Sequence, residues 1–409
     1  MKRTINYRFK RLLLGSLLAL TLAGCWDRVE IDERGFVVGV AIDKAKTDRS
    51  KEVREAPDKP RGRHLYSVTY QFVVPSALGS SKGNQSGSSQ ASGFQNLTSQ
   101  GDEMAQIKRE ISVRASRSPY FEHLKVVIVS EDVAKTEQSF ADVLDFYIRD
   151  PEMRRETKVM IAKGEARSVL EVAPRTEKVN AMYIDSITNH QDENARMLPE
   201  TKIGDIHEHL LREESYVVQR IVGKGNEVKL AGAAVMDGKT NTLVGFLGEE
   251  ETEGLNYLTA KIKGGVVDFK LDGRLSSFEN ERTSRTIRAD VSDPMRPKFH
   301  VRITAEGSLA ETFATRDLTK LGTIEDIEGK IADEIVRLAQ DTIRKVQKEF
   351  GKDVVGFGDK LRQDHYRVWK RIKADWEQGR RLFAASEITV EAKVKLRRYG
   401  TINKAKIIR

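Results

Sequence analysis

A pair of histidines, a Gly-Lys-Thr triplet, one dense run of alternating charge and a single thiol are the residues of this 409-residue chain whose types and spacing could do chemistry. His207-Glu208-His209 offers two imidazoles around a carboxylate, a donor set suited to a divalent metal. The apolar spacing around it is helical, however, and residues two apart on a helix point about 200° apart. The two rings therefore cannot share one ion unless the segment is a strand; a solvated polar helix face is the simpler reading. Gly238-Lys239-Thr240 resembles the end of a phosphate-binding loop. That loop needs a glycine five residues before its second glycine, where this chain has Ala233. It also needs a following helix whose N-terminus holds the phosphate, and here a strand pattern follows. Arg149-Asp150-Pro151-Glu152-Met153-Arg154-Arg155 alternates charge directly after a helical pattern. Arg149, Asp150, Glu152 and Arg154 are thus candidates for an ion-pair network or a docking surface, with a solvated turn as the alternative. Acidic pairs are plentiful but unpatterned. These groupings do not argue for catalysis, a cofactor or a metal.

The thiol has a different setting. Lys2, Arg3, Arg8, Lys10 and Arg11 precede an apolar run from Leu12 to Leu22. A basic stretch followed by a short apolar one is a secretory signal, and it is too short for a stable membrane span. It ends in Leu22-Ala23-Gly24-Cys25, which resembles a bacterial lipobox. In that pattern the thiol is lipidated, the leader 1–24 is removed and the acylated Cys25 becomes the first residue. The alternative is a plain signal peptide with an incidental cysteine. A diacylglyceryl group holds firmly, because two acyl chains make membrane attachment stable where one does not. A palmitate-type anchor on Cys25 would place the folded part outside the cytoplasmic membrane. With its one cysteine so used, the chain has neither a disulfide nor a cysteine nucleophile. The formal charge of +9 falls to +4 over 385 residues once the five leader cations are gone. That is too little for a nucleic-acid-binding protein.

The elements that must position these residues read as mixed α and β. At about 150 residues per domain the length allows two or three units. Gly35–Asp43 is a short Val-rich buried strand, and Tyr66 to Val74 alternates apolar and polar residues as a half-buried strand. Residues 76–101 are rich in Ser, Gly and Gln, too polar to offset their ordering entropy. They read as a flexible loop inside the first domain, a linker between domains being the alternative. Helical spacing follows at Met104–Ala115 and Phe140–Tyr147, strands at Lys125–Ser130 and Thr157–Ala162, and a short helix at Ala166–Val172. Residues 174–200 read as a polar connection. A helix at Ile203–Leu210, strands at Tyr216–Val222, Val228–Met236 and Thr242–Leu247, and a helix around Leu255–Ile262 suggest a smaller unit. The last part begins near Gly264, with strands at Val266–Leu271, Thr283–Ala289 and Lys298–Thr304. A long amphipathic helix runs from a cap at Thr323 through Ile327, Ile331, Ile335 and Leu338 to Phe350. A second helix over 359–376 and a strand at Ile388–Leu396 close the chain. The expectation is an α+β protein of three mixed domains in series behind a lipidated N-terminus: 25–198, 199–263 and 264–409.

An ordered set of motifs adds a resemblance. Cys25-Trp26-Asp27-Arg28-Val29-Glu30-Ile31, then Val37-Val38-Gly39-Val40-Ala41-Ile42-Asp43, is similar to the opening of the Ger(x)C family of spore germination lipoproteins. His123 to Val129, Phe146 to Arg154, Gly232 to Met236 with Leu243 to Leu247, Gly307 to Glu311, and Asp353 to Gly358 follow in the family's order. The Ser/Gly-rich loop departs from the pattern as an insertion. The resemblance implies a non-catalytic C subunit of a nutrient germinant receptor, built of three α+β domains. It further implies a lipid tether to the outer face of the spore inner membrane, beside integral membrane A and B subunits. A solute-binding lipoprotein of a transporter shares the lipobox, but two similar doubly wound lobes would be expected there. A cell-surface hydrolase would need a clustered acid, base or metal site.

Overall fold

A computed structural model describes residues 30–46, 62–78, 92–313 and 321–398; Cys25 and its leader lie outside them. The described residues form two sheets with helices packed on them, an α+β fold. The larger sheet is built from β1 (Arg34–Lys44), β2 (Tyr66–Val73), β3 (Phe94–Gly101), β4 (Ser118–Tyr120), β5 (Val126–Ser130), β6 (Lys158–Ala162), β7 (Tyr216–Lys224), β8 (Glu227–Asp237) and β9 (Thr242–Leu247). Its order is β3-β2-β1-β5-β6-β7-β8-β9, with β4 beside the start of β1. The centre, β1-β5-β6-β7, is parallel, and antiparallel pairs flank it on both sides. Parallel strands are covered on both faces and so read as continuous apolar runs. That is why Val126-Val127-Ile128-Val129 shows no alternation. Alternate residues still go to opposite cores: Val127 and Val129 to one face, Val126 and Ile128 to the other.

The smaller sheet is β10 (Val266–Leu271), β11 (Arg274–Asp290), β12 (Lys298–Thr312) and β13 (Glu387–Arg398) in that order. β12 and β13 are parallel, joined through the helix Thr323–Arg344, whose Ile327, Ile331, Ile335 and Leu338 face the sheet's core. One face of β10 is buried and the other is open, as its strict alternation requires. Helix Glu249–Thr259 reaches the same core and lies unusually close to helix 323–344. A Cβ on Gly254 would come within 2.3 Å of the Leu338 carbonyl oxygen and the Thr342 hydroxyl.

Several expectations need correction. Phe94–Gly101 is not loop but a strand, paired residue for residue with β2 from Tyr66↔Gly101 to Val73↔Phe94. Both ends of the Ser/Gly-rich stretch thus belong to one hairpin, which removes the inter-domain linker reading. The polar connection 174–200 holds a helix, Asn180–Thr188, with Ala181 and Ile184 buried. Its polarity misled because Asn180 is itself buried and donates to the carbonyls of Val169 and Val172. The long helix is capped by Gly322 in the left-handed region (φ 80°), not by Thr323, which is its first turn. The expected helix 359–376 breaks at His365 into Phe357–Asp364 and Tyr366–Ile372. Segment 199–263, expected as a separate unit, has no sheet of its own. β7 pairs with β6 at Met160↔Gln219, Ile161↔Arg220 and Ala162↔Ile221, so β7, β8 and β9 continue the larger sheet. β8 sends Ala234 and Met236 to the N-terminal core but Ala233 and Val235 to the core of the smaller sheet. The segment therefore binds the two sheets together.

Candidate functional site

The alternating charge after helix Ser139–Arg149 is a joint. Asp150 follows the helix, and its Oδ1 accepts the Glu152 N–H at 2.9 Å. Its other oxygen pairs with Lys108 Nζ at 3.1 Å, and Lys108 lies over the Phe121 ring at 4.7 Å. Glu152 lies 3.9 Å from the same ammonium group. Arg154 pairs with Glu122 at 3.2 Å, and Glu122 in turn accepts the Tyr120 hydroxyl. Arg155 reaches further: its Nη2 donates to the Gly204 carbonyl, and its own carbonyl accepts the Gly204 N–H at 3.1 Å. The segment thus links helix 139–149 to helix Met104–Ser112, to the turn after β4 and to helix Ile203–Arg212. Arg149 stands apart. Its one pairing is to Asp145, four residues back, and its side chain is 76% exposed. Of the four candidates, Asp150, Glu152 and Arg154 are brought together around Lys108 and Glu122, and Arg149 is not. Arg155 escaped the sequence reading because its partner lies 49 residues away.

A second joint connects the two sheets. Lys352 Nζ lies 2.5 Å from Asp237 at the end of β8 and 3.5 Å from Glu377, with all three side chains nearly buried. Glu377 also accepts the Ser215 hydroxyl at 2.6 Å and the Asp353 N–H at 2.9 Å. Burial alone would raise the Asp237 carboxyl, but Lys352 and the N–H groups of Lys239 and Thr240 outweigh it and hold Asp237 below the usual carboxylate range. Burial wins at Glu377, which is pushed up. Asp353 is the hub of the adjoining loop. It accepts the N–H groups of Gly356, Phe357 and Gly358 and the Trp376 indole N–H, at 2.6–3.1 Å. Burial still raises it, against those four donors. An Asp placed before Gly-Phe-Gly marked this loop in the sequence; the meeting of Lys352 with Asp237, 115 positions away, left no local mark.

The two rejected motifs resolve likewise. His207 and His209 lie on the helix Ile203–Arg212, and the His209 ring stacks on Tyr216 at 4.9 Å with planes 5° apart. Burial, then the nearby Lys261, make His209 harder to protonate than usual. Gly238 is glycine because the Glu214 backbone passes within 2.2 Å of where a Cβ would sit. Its N–H donates to Ser215 Oγ, the hydroxyl that also donates to Glu377 of the joint. Among the described residues no group of three or more His, Cys, Asp or Glu is placed to hold a metal ion. No described helix is long and apolar enough to cross a membrane.

What these arrangements define is a two-sheet α+β protein whose clustered charges are joints between elements. Comparison with known proteins makes that class specific. A family model for the spore germination protein N-terminal domain matches residues 27–222, and one for the spore germination B3/GerAC-like C-terminal region matches 231–400. The chain belongs to the Ger(x)C family of spore germination proteins. It is 32% identical to spore germination protein YndF of Bacillus subtilis (strain 168), covering 98% of this chain and 99% of that one. It is 27% identical to spore germination protein B3 of the same organism, over 95% of this chain and 97% of the other. The crystal structure of the GerBC protein has the same fold, with a TM-score of 0.58 at 22% identity over 88% of this chain and 97% of that chain.

Proposed function

We propose that this chain is the C subunit of a nutrient germinant receptor, tethered through Cys25 to the outer face of the spore inner membrane. It acts there in spore germination beside integral membrane A and B subunits and carries out no catalysis itself. The observation that carries this reading is the family match in sequence order across 27–222 and 231–400, immediately behind a lipobox. The fold favours it over the solute-binding alternative: one mixed nine-stranded sheet and one four-stranded sheet are not two similar lobes around a cleft. The segments 25–198, 199–263 and 264–409 then act as three functional units on two sheets, the middle one coupling the other two.

Cys25→Ala tests the anchor and the function together. Spores carrying it should lose the protein from the inner-membrane fraction and germinate poorly with nutrients, while responding normally to a non-nutrient trigger. Co-purification from wild-type spore membranes should recover two integral membrane proteins. A Cys25→Ala protein that stays on membranes lacking those two partners would remove the lipid tether from the reading.

A further inference from the structure

The groove between the two sheets contains an open strand edge. β11 runs to Asp290, but β10 pairs only with its first part, ending at Val266↔Glu279. From Arg282 to Asp290 β11 is bound to β12 on one side. On the other side no strand joins it among the described residues, and no backbone hydrogen bond from another element reaches residues 281–290. Ten residues of strand present an edge of about 33 Å. An unpaired edge of that length is a template for another extended chain. It borders a cavity of about 1400 Å³, whose walls include Lys261, Arg285, Thr286, Ile287, Val355 and Tyr366.

The cations along this edge make no ion pair among the described residues. Lys261 is reached by solvent and makes no ion pair or side-chain hydrogen bond among the described residues. Among the described residues Arg285 donates to the carbonyls of Leu258 and Val355 and to no carboxylate. Arg282 and Arg288, on the other face of the strand, have no carboxylate within 4.0 Å among the described residues. Several carboxylates nearby are taken: Asp353 by its four N–H donors, Asp359 by Arg362 at 2.6 Å, Glu214 by Arg362 at 3.6 Å, Asp205 by the Lys202 N–H at 3.3 Å, and Asp290 of the edge itself by Ser292. Burial and Arg285 together pull the Lys261 ammonium below its ordinary range, and the Asp205 carboxylate offsets them only in part. A strand added here sets its side chains beside those of β11 on both faces. Carboxylates on one face would meet Arg282 and Arg288, and one on the other would meet Arg285 and Lys261.

We propose that the Glu281–Asp290 edge of β11 is a strand-addition site for an extended acidic segment of a partner polypeptide. The proposal stands apart from the receptor reading, and germination is not its readout. The test uses the full lipidated chain in nanodiscs of uncharged lipid. The probes are ten-residue peptides alternating Thr with Glu, with Gln or with Lys. The Glu peptide should bind at least ten-fold tighter than the Lys peptide and slow amide hydrogen exchange at residues 281–290. Lys261→Glu, at a side chain that makes no ion pair or hydrogen bond among the described residues, should narrow that difference while Arg282, Arg285 and Arg288 keep its sign. Equal binding of the three peptides, or protection falling on another strand, would overturn the proposal. So would slow exchange in the peptide-free monomer at those amides of 281–290 that point away from β12, which means that the chain covers its own edge. Protection that appears only on self-association would assign the edge to a second copy and overturn it too.

Discussion

Glu253 is a buried carboxyl whose titration the fold moves toward neutral pH. Its side chain is 2% exposed and pairs with Arg196 at 3.1 Å through one oxygen, while the other has no hydrogen-bond partner. Burial outweighs the partly exposed arginine and pushes the carboxyl up to about 7. The folded state therefore holds this proton more tightly than the unfolded chain does. The associated stability is full below about 4.5 and is lost as pH rises through about 7, a change of about 3 kcal/mol. Glu253→Gln keeps the shape and removes the titration. Its melting temperature should match the wild type near pH 5 and exceed it at pH 8; parallel pH profiles for the two proteins would refute the assignment. The charged run after helix 139–149 gives a contrast at the same scale. Asp150→Ala strips a nearly buried carboxylate from Lys108 and from the Glu152 N–H, at a cost of about 1–3 kcal/mol. Arg149→Ala removes one exposed pairing within a helix and should leave the unfolding midpoint unchanged. Equal denaturation midpoints for the two variants would mean that Asp150 is not part of the joint.

At the scale of elements, β3 shows both what the residues declare and what they conceal. Its sequence, Phe94-Gln95-Asn96-Leu97-Thr98-Ser99-Gln100-Gly101, has few β-branched or apolar residues, so composition alone assigns it to the Ser/Gly-rich stretch before it. What makes it a strand is its partner: Thr69 meets Thr98 through their hydroxyls at 2.8 Å, and Gln71 reaches Asn96 at 3.1 Å. Such pairings belong to tertiary structure and leave no period in one sequence. The buried strands β5 and β6 and the helix 323–344 were legible because burial on both faces, or on one stripe, writes itself into every residue. The hairpin is also closed at its base, where the Val74 N–H donates to the Gly93 carbonyl at 2.9 Å. Loop length costs little closure entropy. Deleting residues 80–90 should thus move the melting temperature by no more than about 2 °C. Deleting 94–101 exposes the edge of β2 and should lower it several-fold more. A large loss from the first deletion, in a thermal scan of both, would show that residues 80–90 contribute to the fold.

For the whole molecule, the question is how two sheets with separate cores act as one body. Neither the lipobox-like segment nor the charged run could reveal this, because the joint is assembled from Ser215, Asp237, Lys352 and Glu377, which are scattered over more than 160 positions. β8 supplies the apolar part of the coupling through its two faces, and Lys352 supplies the polar part. A nearly buried ammonium between two carboxylates is a poor source of net stability, since desolvation offsets much of its Coulomb gain. Removing it is another matter, because Asp237 and Glu377 would then stay buried without a counter-charge, at a cost of about 3–5 kcal/mol. Lys352→Met should therefore do more than lower stability. The uncompensated carboxylates sit at the contact between the sheets, so the contact should loosen before either core does. Calorimetry of the wild type should show one cooperative transition, and Lys352→Met should show two. Acid should act in the same direction on the wild type. The Asp237 carboxyl is held low by folding, so its contribution is present above about pH 4 and is lost as the pH falls below that. Lys352→Met with Asp237→Asn and Glu377→Gln removes the stranded charges and should restore a single transition. A single unshifted transition in Lys352→Met alone would show that the apolar contacts of β8 suffice to hold the sheets together.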